Sequence, residues 1–100
     1  MKFVQIIDFE TERIDEMGEL VQEAEKRSAG RDGGPTHRML LQDRNTPNRY
    51  LVAIEFESYE EAMRNSNDPE TTRMAERMAA LCTRAPQFTD CDVHEMTEIK

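Results

Sequence analysis

The chain has only two histidines, two cysteines and two tyrosines, so these can be weighed singly. His37 is the first. An imidazole with an ordinary pKa of about 6.5 suits a general acid or base. The hairpin register expected below places His37 at the start of a strand, on the side of Met39, Tyr50 and Val52 and under the helices. The plainer alternative is a strand-end histidine bonded to a loop or to water. Tyr50 and Asn65 are a second pair. A buried tyrosine needs a partner for its hydroxyl. Asn65 falls at a break between two helical pieces, where its amide could point inward. With His37 they are the candidate catalytic groups, able to orient a planar phenolic or quinone-like molecule. A packed tyrosine and a helix-capping asparagine are the bland alternative. Phe56, Met74 and Met78, with Met63, offer an apolar wall for such a ligand. Methionine adapts to flat ligands, although a stripe at helical spacing also describes ordinary core.

Metal and redox chemistry find less support. Asp90, Asp92 and His94 alternate along the last predicted strand and would offer carboxylate and imidazole donors. No His-x-x-x-His or Cys-x-x-Cys accompanies them, so no metal is assigned. Cys82 and Cys91 lack the spacing of a redox pair and are expected as small buried hydrophobes. The stretch Gly30-Arg31-Asp32-Gly33-Gly34 lacks the Lys-Ser/Thr of a phosphate-binding loop, and a strand rather than a helix is expected after it. Gly30 is the expected left-handed cap of the preceding helix.

The elements that must position these groups follow from periodicity. Phe3, Val4, Ile6, Ile7 and Phe9 form a short apolar block, a buried strand. Ile14, Met17, Leu20, Val21 and Ala24 then share one helix face, with Thr11 the expected N-cap. Strands are expected from Thr36 to Asp43 and from Asn48 to Phe56, joined by the turn formers Arg44-Asn45-Thr46-Pro47. Pairing Asp43 with Asn48 sets Leu41 against Tyr50, Met39 against Val52 and His37 against Ile54, all on one side of the sheet. Arg38, Leu40, Arg49, Leu51, Ala53 and Glu55 then share the other side, where Arg38 and Arg49 become neighbours. Ser58 and Glu61 fit a capping box, and Asp68-Pro69-Glu70 restarts a helix interrupted at Asn65-Ser66-Asn67. A last strand is expected from Phe88 to Ile99. The order is strand, helix, strand, strand, broken helix, strand, over one domain of residues 1–100. This is an α+β, ferredoxin-like βαββαβ arrangement with a four-stranded antiparallel sheet and both helices on one face.

Composition bounds the partners. Lys and Arg total 13 against 21 Asp and Glu, a net charge of −8. Such a chain is a poor match for nucleic acid, which demands a basic stripe, or for an anionic membrane surface. No apolar run approaches the ~20 residues that span a bilayer. The early polar residues do not resemble a signal peptide, so a cytoplasmic protein with reduced thiols is expected. Two helices cover one sheet face only. The other carries Leu40, Leu51, Ala53, Val4 and Ile6, a patch that calls for a partner. A second copy about a two-fold axis is the simplest one, so a homodimer is expected.

The element order over nearly the whole chain resembles the dimeric α/β-barrel superfamily, in particular antibiotic biosynthesis monooxygenase-like domains. The similarity is strongest in Tyr50-Leu51-Val52-Ala53-Ile54-Glu55-Phe56-Glu57-Ser58-Tyr59-Glu60-Glu61-Ala62 followed by Asp68-Pro69. Such domains commonly end this strand with an aromatic residue, here Phe56, and follow it with Ser-x-Glu. They often carry a histidine in the next helix. Here Asn65 and Asn67 stand in that region. The resemblance implies a dimeric α/β barrel and a cofactor-free monooxygenase-like enzyme acting on a small aromatic molecule. The alternative is a non-catalytic small-ligand-binding or accessory homodimer. No cofactor is expected under either.

Overall fold

A computed structural model gives the architecture and describes residues 1–28 and 33–100. The expected Gly30 cap lies outside the described residues. The elements are β1 (Phe3–Glu10), α1 (Ile14–Ser28), β2 (His37–Gln42), β3 (Arg49–Phe56), α2 (Tyr59–Ser66), α3 (Pro69–Ala80) and β4 (Gln87–Asp92). The strands form one sheet in the order β2-β3-β1-β4, with every pairing antiparallel. The expected α+β, ferredoxin-like class is the one found.

Local signals account for the boundaries. Ser58 Oγ accepts from Glu61 N at 3.2 Å and opens α2. The Glu61 carboxylate pairs with Arg64 at 2.8 Å rather than completing the capping box. Asp68 accepts from Glu70 N at 2.9 Å and Pro69 follows it, so α3 restarts as its sequence dictates. Thr11, the expected N-cap, lies three residues before the first residue of α1, Ile14. Its buried hydroxyl accepts from Arg13 N at 3.0 Å and donates to Leu81 O at 2.6 Å, tying the entry of α1 to the exit of α3.

Side chains alternate along each strand, so the ladders assign every residue to a face. Phe3, Ile7, Phe9, Tyr50, Val52 and Phe56 turn toward the helices and are buried. One core cluster joins Ile7, Phe9, Met17, Tyr50 and Val52, with Ile14, Ile54, Met78, Leu81 and Cys82 packed on it. A second joins Phe3, Phe56 and Ala62 beneath α2, with Met63 against it. Tyr50 stacks on Phe9 with ring centroids 5.6 Å apart. Burial pushes the Cys82 thiol pKa up, and Sγ lies 3.2 Å from Met78 O.

Two expectations are corrected. The β2–β3 register is one residue away from the expected one: His37 faces Glu55, Met39 faces Ala53, Leu41 faces Leu51, and Leu40 faces Val52. The connecting loop takes one residue more, with Asn48 in the left-handed region at φ 66°. A one-residue slip moves every side chain of a strand to the opposite face. His37, Met39 and Leu41 therefore lie on the face away from the helices, and Arg38 and Leu40 lie on the helix side, where this edge strand is still exposed and Leu40 keeps 45% of its surface. The last strand also stops at Asp92 rather than Ile99. Val93 N donates to Lys2 O at 2.9 Å, and β1 begins at Phe3, so no partner strand extends further. His94 thus lies outside the strand that was to align it with Asp90 and Asp92.

Candidate functional site

The helix side of the sheet does not close completely. A cavity of about 200 Å³ lies between α1, α3 and strands β1 to β3. Phe9, Met17 and Val52 form its buried floor. Ile14 and Val21 of α1 and Met78 of α3 form its walls, and Gln22, Arg38 and Leu40 stand at the mouth. Gly18 also borders it. A Cβ at that position would meet nothing within 4 Å outside its own helix.

Arg38 is the one charged residue in this lining. Its side chain is one-third exposed, at 33%. It reaches back to α1, where Nε donates to Glu25 Oε1 at 2.8 Å and Nη2 approaches the same oxygen at 2.5 Å. Sequence reasoning had put Arg38 on the opposite face, beside Arg49.

The six predicted site residues separate. Met78 lines the cavity, and Tyr50 lies behind Phe9 in the same core cluster. Asn65 sits at the α2–α3 junction, where its carbonyl accepts from Asn67 N and from Asp68 N. Met74 is half-buried on α3, one turn before Met78. Phe56 belongs to the other cluster, under α2. His37 is corrected outright in position. Its ring is exposed on the far sheet face, with Nδ1 2.7 Å from Glu55 Oε2. Thr36 Oγ donates to the same oxygen at 2.6 Å, and Lys2 Nζ lies 3.7 Å from it. Thr36 foremost, then His37, holds the Glu55 carboxyl below its ordinary pKa.

Sequence reasoning missed Phe9, Met17, Gly18 and Arg38 as cavity residues. A glycine four residues into an amphipathic helix was the available signal, since such a residue weakens a helix for no local gain.

The face away from the helices carries Val4, Ile6, Met39, Leu41, Leu51, Ala53 and Cys91. Met39 and Leu41 are 59% and 44% exposed. Charge networks close both ends of this patch. Beyond Leu51, Arg49 bonds Asp8 and Asp43, each at 2.7 Å, and Arg84 joins Asp8 at 3.0 Å. The Arg49 hydrogen bond, opposed by some desolvation and aided by Arg84, holds the Asp8 carboxyl below its ordinary pKa. Glu55, His37 and Lys2 cluster at the other end. Among the described residues no three His, Cys, Asp or Glu side chains group as metal ligands, and no helix is long and apolar enough to cross a membrane.

Comparison with known proteins places this geometry among solved folds. SnoaB, a cofactor-independent oxygenase from Streptomyces nogalater, superposes with a TM-score of 0.78 at 17% identity, over 95% of each chain. A provisionally assigned antibiotic biosynthesis monooxygenase from Deinococcus radiodurans gives 0.76 at 13% identity, over 98% of each. Another such protein, from Nitrosomonas europaea, gives 0.73 at 12% identity, over 96% of this chain and 94% of that one. No protein-family model and no curated protein sequence matches the chain. At these identities the shared feature is the fold, and the resemblance drawn from the sequence holds at that level.

Proposed function

We propose that this protein is a cytoplasmic, cofactor-free oxygenase of the monooxygenase-like type, acting on a small aromatic molecule bound between the helices and the sheet. The cavity under α1 and α3 carries this reading: it is apolar, has a single charged group, and its floor is sealed from water by Phe9, Met17 and Val52. Oxygenation without a bound cofactor draws its electrons from the substrate, so the site must hold an electron-rich ring in a dry place open to O₂. An apolar cavity with few polar groups provides such a place. In this reading Met78, with Ile14 and Val21, forms the adaptable wall and Tyr50 backs the floor from behind Phe9, while Asn65, Met74 and Phe56 lie outside the lining. His37 is left out of the set because its face is wrong. The description of SnoaB as a cofactor-independent oxygenase supports the reaction type.

The functional unit in this reading is a homodimer joined through the exposed sheet face. The patch from Val4 to Leu41 is continuous, and charges confine it at both ends. Light scattering is expected to give a mass near twice 11.6 kDa. Leu41→Glu is expected to halve it.

The deciding experiment is O₂ uptake with a panel of phenols and hydroquinones. Turnover that falls at least tenfold when Val21→Phe fills the cavity supports the reading. No uptake with any member refutes it and leaves the second reading, a non-catalytic ligand-binding or accessory homodimer. One observation favours that alternative: no acid–base pair lines the cavity.

A further inference from the structure

Arg38 is hard to explain as a structural residue. It stands at the rim of the apolar cavity, on an exposed edge strand where shorter polar residues would serve. Its ion pair with Glu25 is largely solvated, since the Glu25 side chain is 54% exposed. Such pairs contribute little to stability. Glu25 engages Nε and Nη2 through a single oxygen, and among the described residues nothing else takes a hydrogen from Arg38. The Nη1 hydrogens and the flat guanidinium face remain for a molecule in the cavity.

Gly18 adds an independent observation. Alanine would suit the interior of α1 better and would meet no neighbour. The glycine keeps open a volume that the fold does not require. The cavity, about 200 Å³, is smaller than the ~300–1,000 Å³ sites that take drug-sized ligands. One ring with a small substituent fits it. A protein of net charge −8 repels anions at long range. A single cation at the mouth of an apolar site offsets this locally, where the lower dielectric strengthens attraction. Guanidinium also stacks on aromatic faces while donating to an oxygen.

The geometry points to a one-ring phenol bound as its phenolate, with the ring over Phe9, Met17 and Val52 and the anionic oxygen on Arg38. This deepens the oxygenase reading, because a phenolate is the electron-rich form that O₂ chemistry requires, and it rests on that reading's choice of cavity. Arg38 becomes the specificity-determining residue, favouring acidic phenols over neutral rings of equal size.

The probe is 4-nitrophenol, whose phenolate is coloured, titrated against the full-length protein across pH. An opposite charge within about 4–6 Å shifts an ionisation by 1–3 units. Binding to the wild type is therefore expected to favour phenolate over phenol by at least tenfold, seen as an apparent pKa of bound nitrophenol lowered by at least one unit. Arg38→Gln is expected to abolish that preference, and Arg38→Lys to retain part of it. Nitrobenzene, without the hydroxyl, should bind both proteins equally. Gly18→Leu, filling the cavity, should remove binding. Arg38 is a rim residue, so its variants test the proposal even if Gly18→Leu fails to fold. Equal affinity for phenol and phenolate, a preference that survives in Arg38→Gln, or no binding by the wild type at millimolar probe overturns the inference. Phenolate preference without O₂ uptake by any substrate would sink the oxygenase reading alone. Uptake that ignores Arg38→Gln, with no phenolate preference, would sink the inference alone.

Discussion

Gly18→Ala gives the sharpest test of whether the space beside α1 is open. Gly18 lies within Ile14–Ser28, a helix of 15 residues whose apolar stripe packs on the sheet. A glycine in a helix interior is less stable than alanine by about 1 kcal/mol. Part of that difference comes from the unfolded chain, which glycine leaves more disordered. In a close-packed interior the new methyl group would cancel the gain through overlap. Here it would meet no atom within 4 Å beyond the helix itself, so no penalty offsets the propensity term. Nor does the methyl gain much contact, because dispersion needs neighbours at that range. The expected net change is therefore about 1 kcal/mol of added stability. In a domain of this size that raises Tm by roughly 4–8 °C. Thermal unfolding followed by circular dichroism, checked by urea titration at the same protein concentration, measures it. Concentration must be held fixed because the Tm of a chain that associates, as proposed, depends on it. An unchanged or lowered Tm would refute the reasoning: α1 would sit closer to β2 than described, and the cavity would be closed.

Three further outcomes are expected. Gly33 and Gly34 both have positive φ, at 79° and 84°, so alanine at either should cost about 1–2 kcal/mol of unfolding free energy in urea. A Cβ at Gly33 would also fall 2.3 Å from Glu61 Oε2, whereas one at Gly34 meets nothing, so the excess loss in Gly33→Ala reports the displacement of that carboxylate. His37→Ala should leave both nitrophenolate binding and any O₂ uptake within twofold of wild type, because its ring faces away from the cavity; a larger loss would put the site on the other side of the sheet. Stability should decline in acid through Asp8. Arg49 and Arg84 depress its folded pKa below the ordinary 3.8, so the unfolded chain binds more protons, and the stabilisation is complete above that value and disappears as pH falls through the folded one. Urea midpoints should therefore drop as pH is lowered past about 4, and Arg49→Gln should flatten the drop, modestly because Arg49 is 35% exposed.

Most of the fold was legible because its signals are local. Ser58, Asp68-Pro69 and the stripe from Ile14 to Ala24 each mark an element without reference to anything distant. The phase of the β2–β3 hairpin was not legible in that way. Met39, Leu40 and Leu41 are apolar at consecutive positions, so alternation cannot decide which of them faces the helices. The turn decides, and it is one residue longer than Arg44-Asn45-Thr46-Pro47. Asparagine tolerates the left-handed region better than most residues, so Asn48 belonged in the loop. That single residue exchanged His37 for Arg38 at the cavity and exchanged an acid–base reading of the site for an anion-binding one. The register has a second consequence. Shifted by one, β2 would turn Met39 and Leu41 to the helix side and leave Arg38 and Leu40 on the open face. The observed phase instead leaves two large apolar residues on the open face, at 59% and 44% exposure. A lone subunit has no compensation for that, since apolar surface in water costs about 25 cal/mol per Å². A subunit whose second face meets its own copy recovers it, and Met39 and Leu41 then sit where a shared interface needs them. The hairpin register therefore supports the proposed dimer from a direction independent of the charge networks at the ends of the patch.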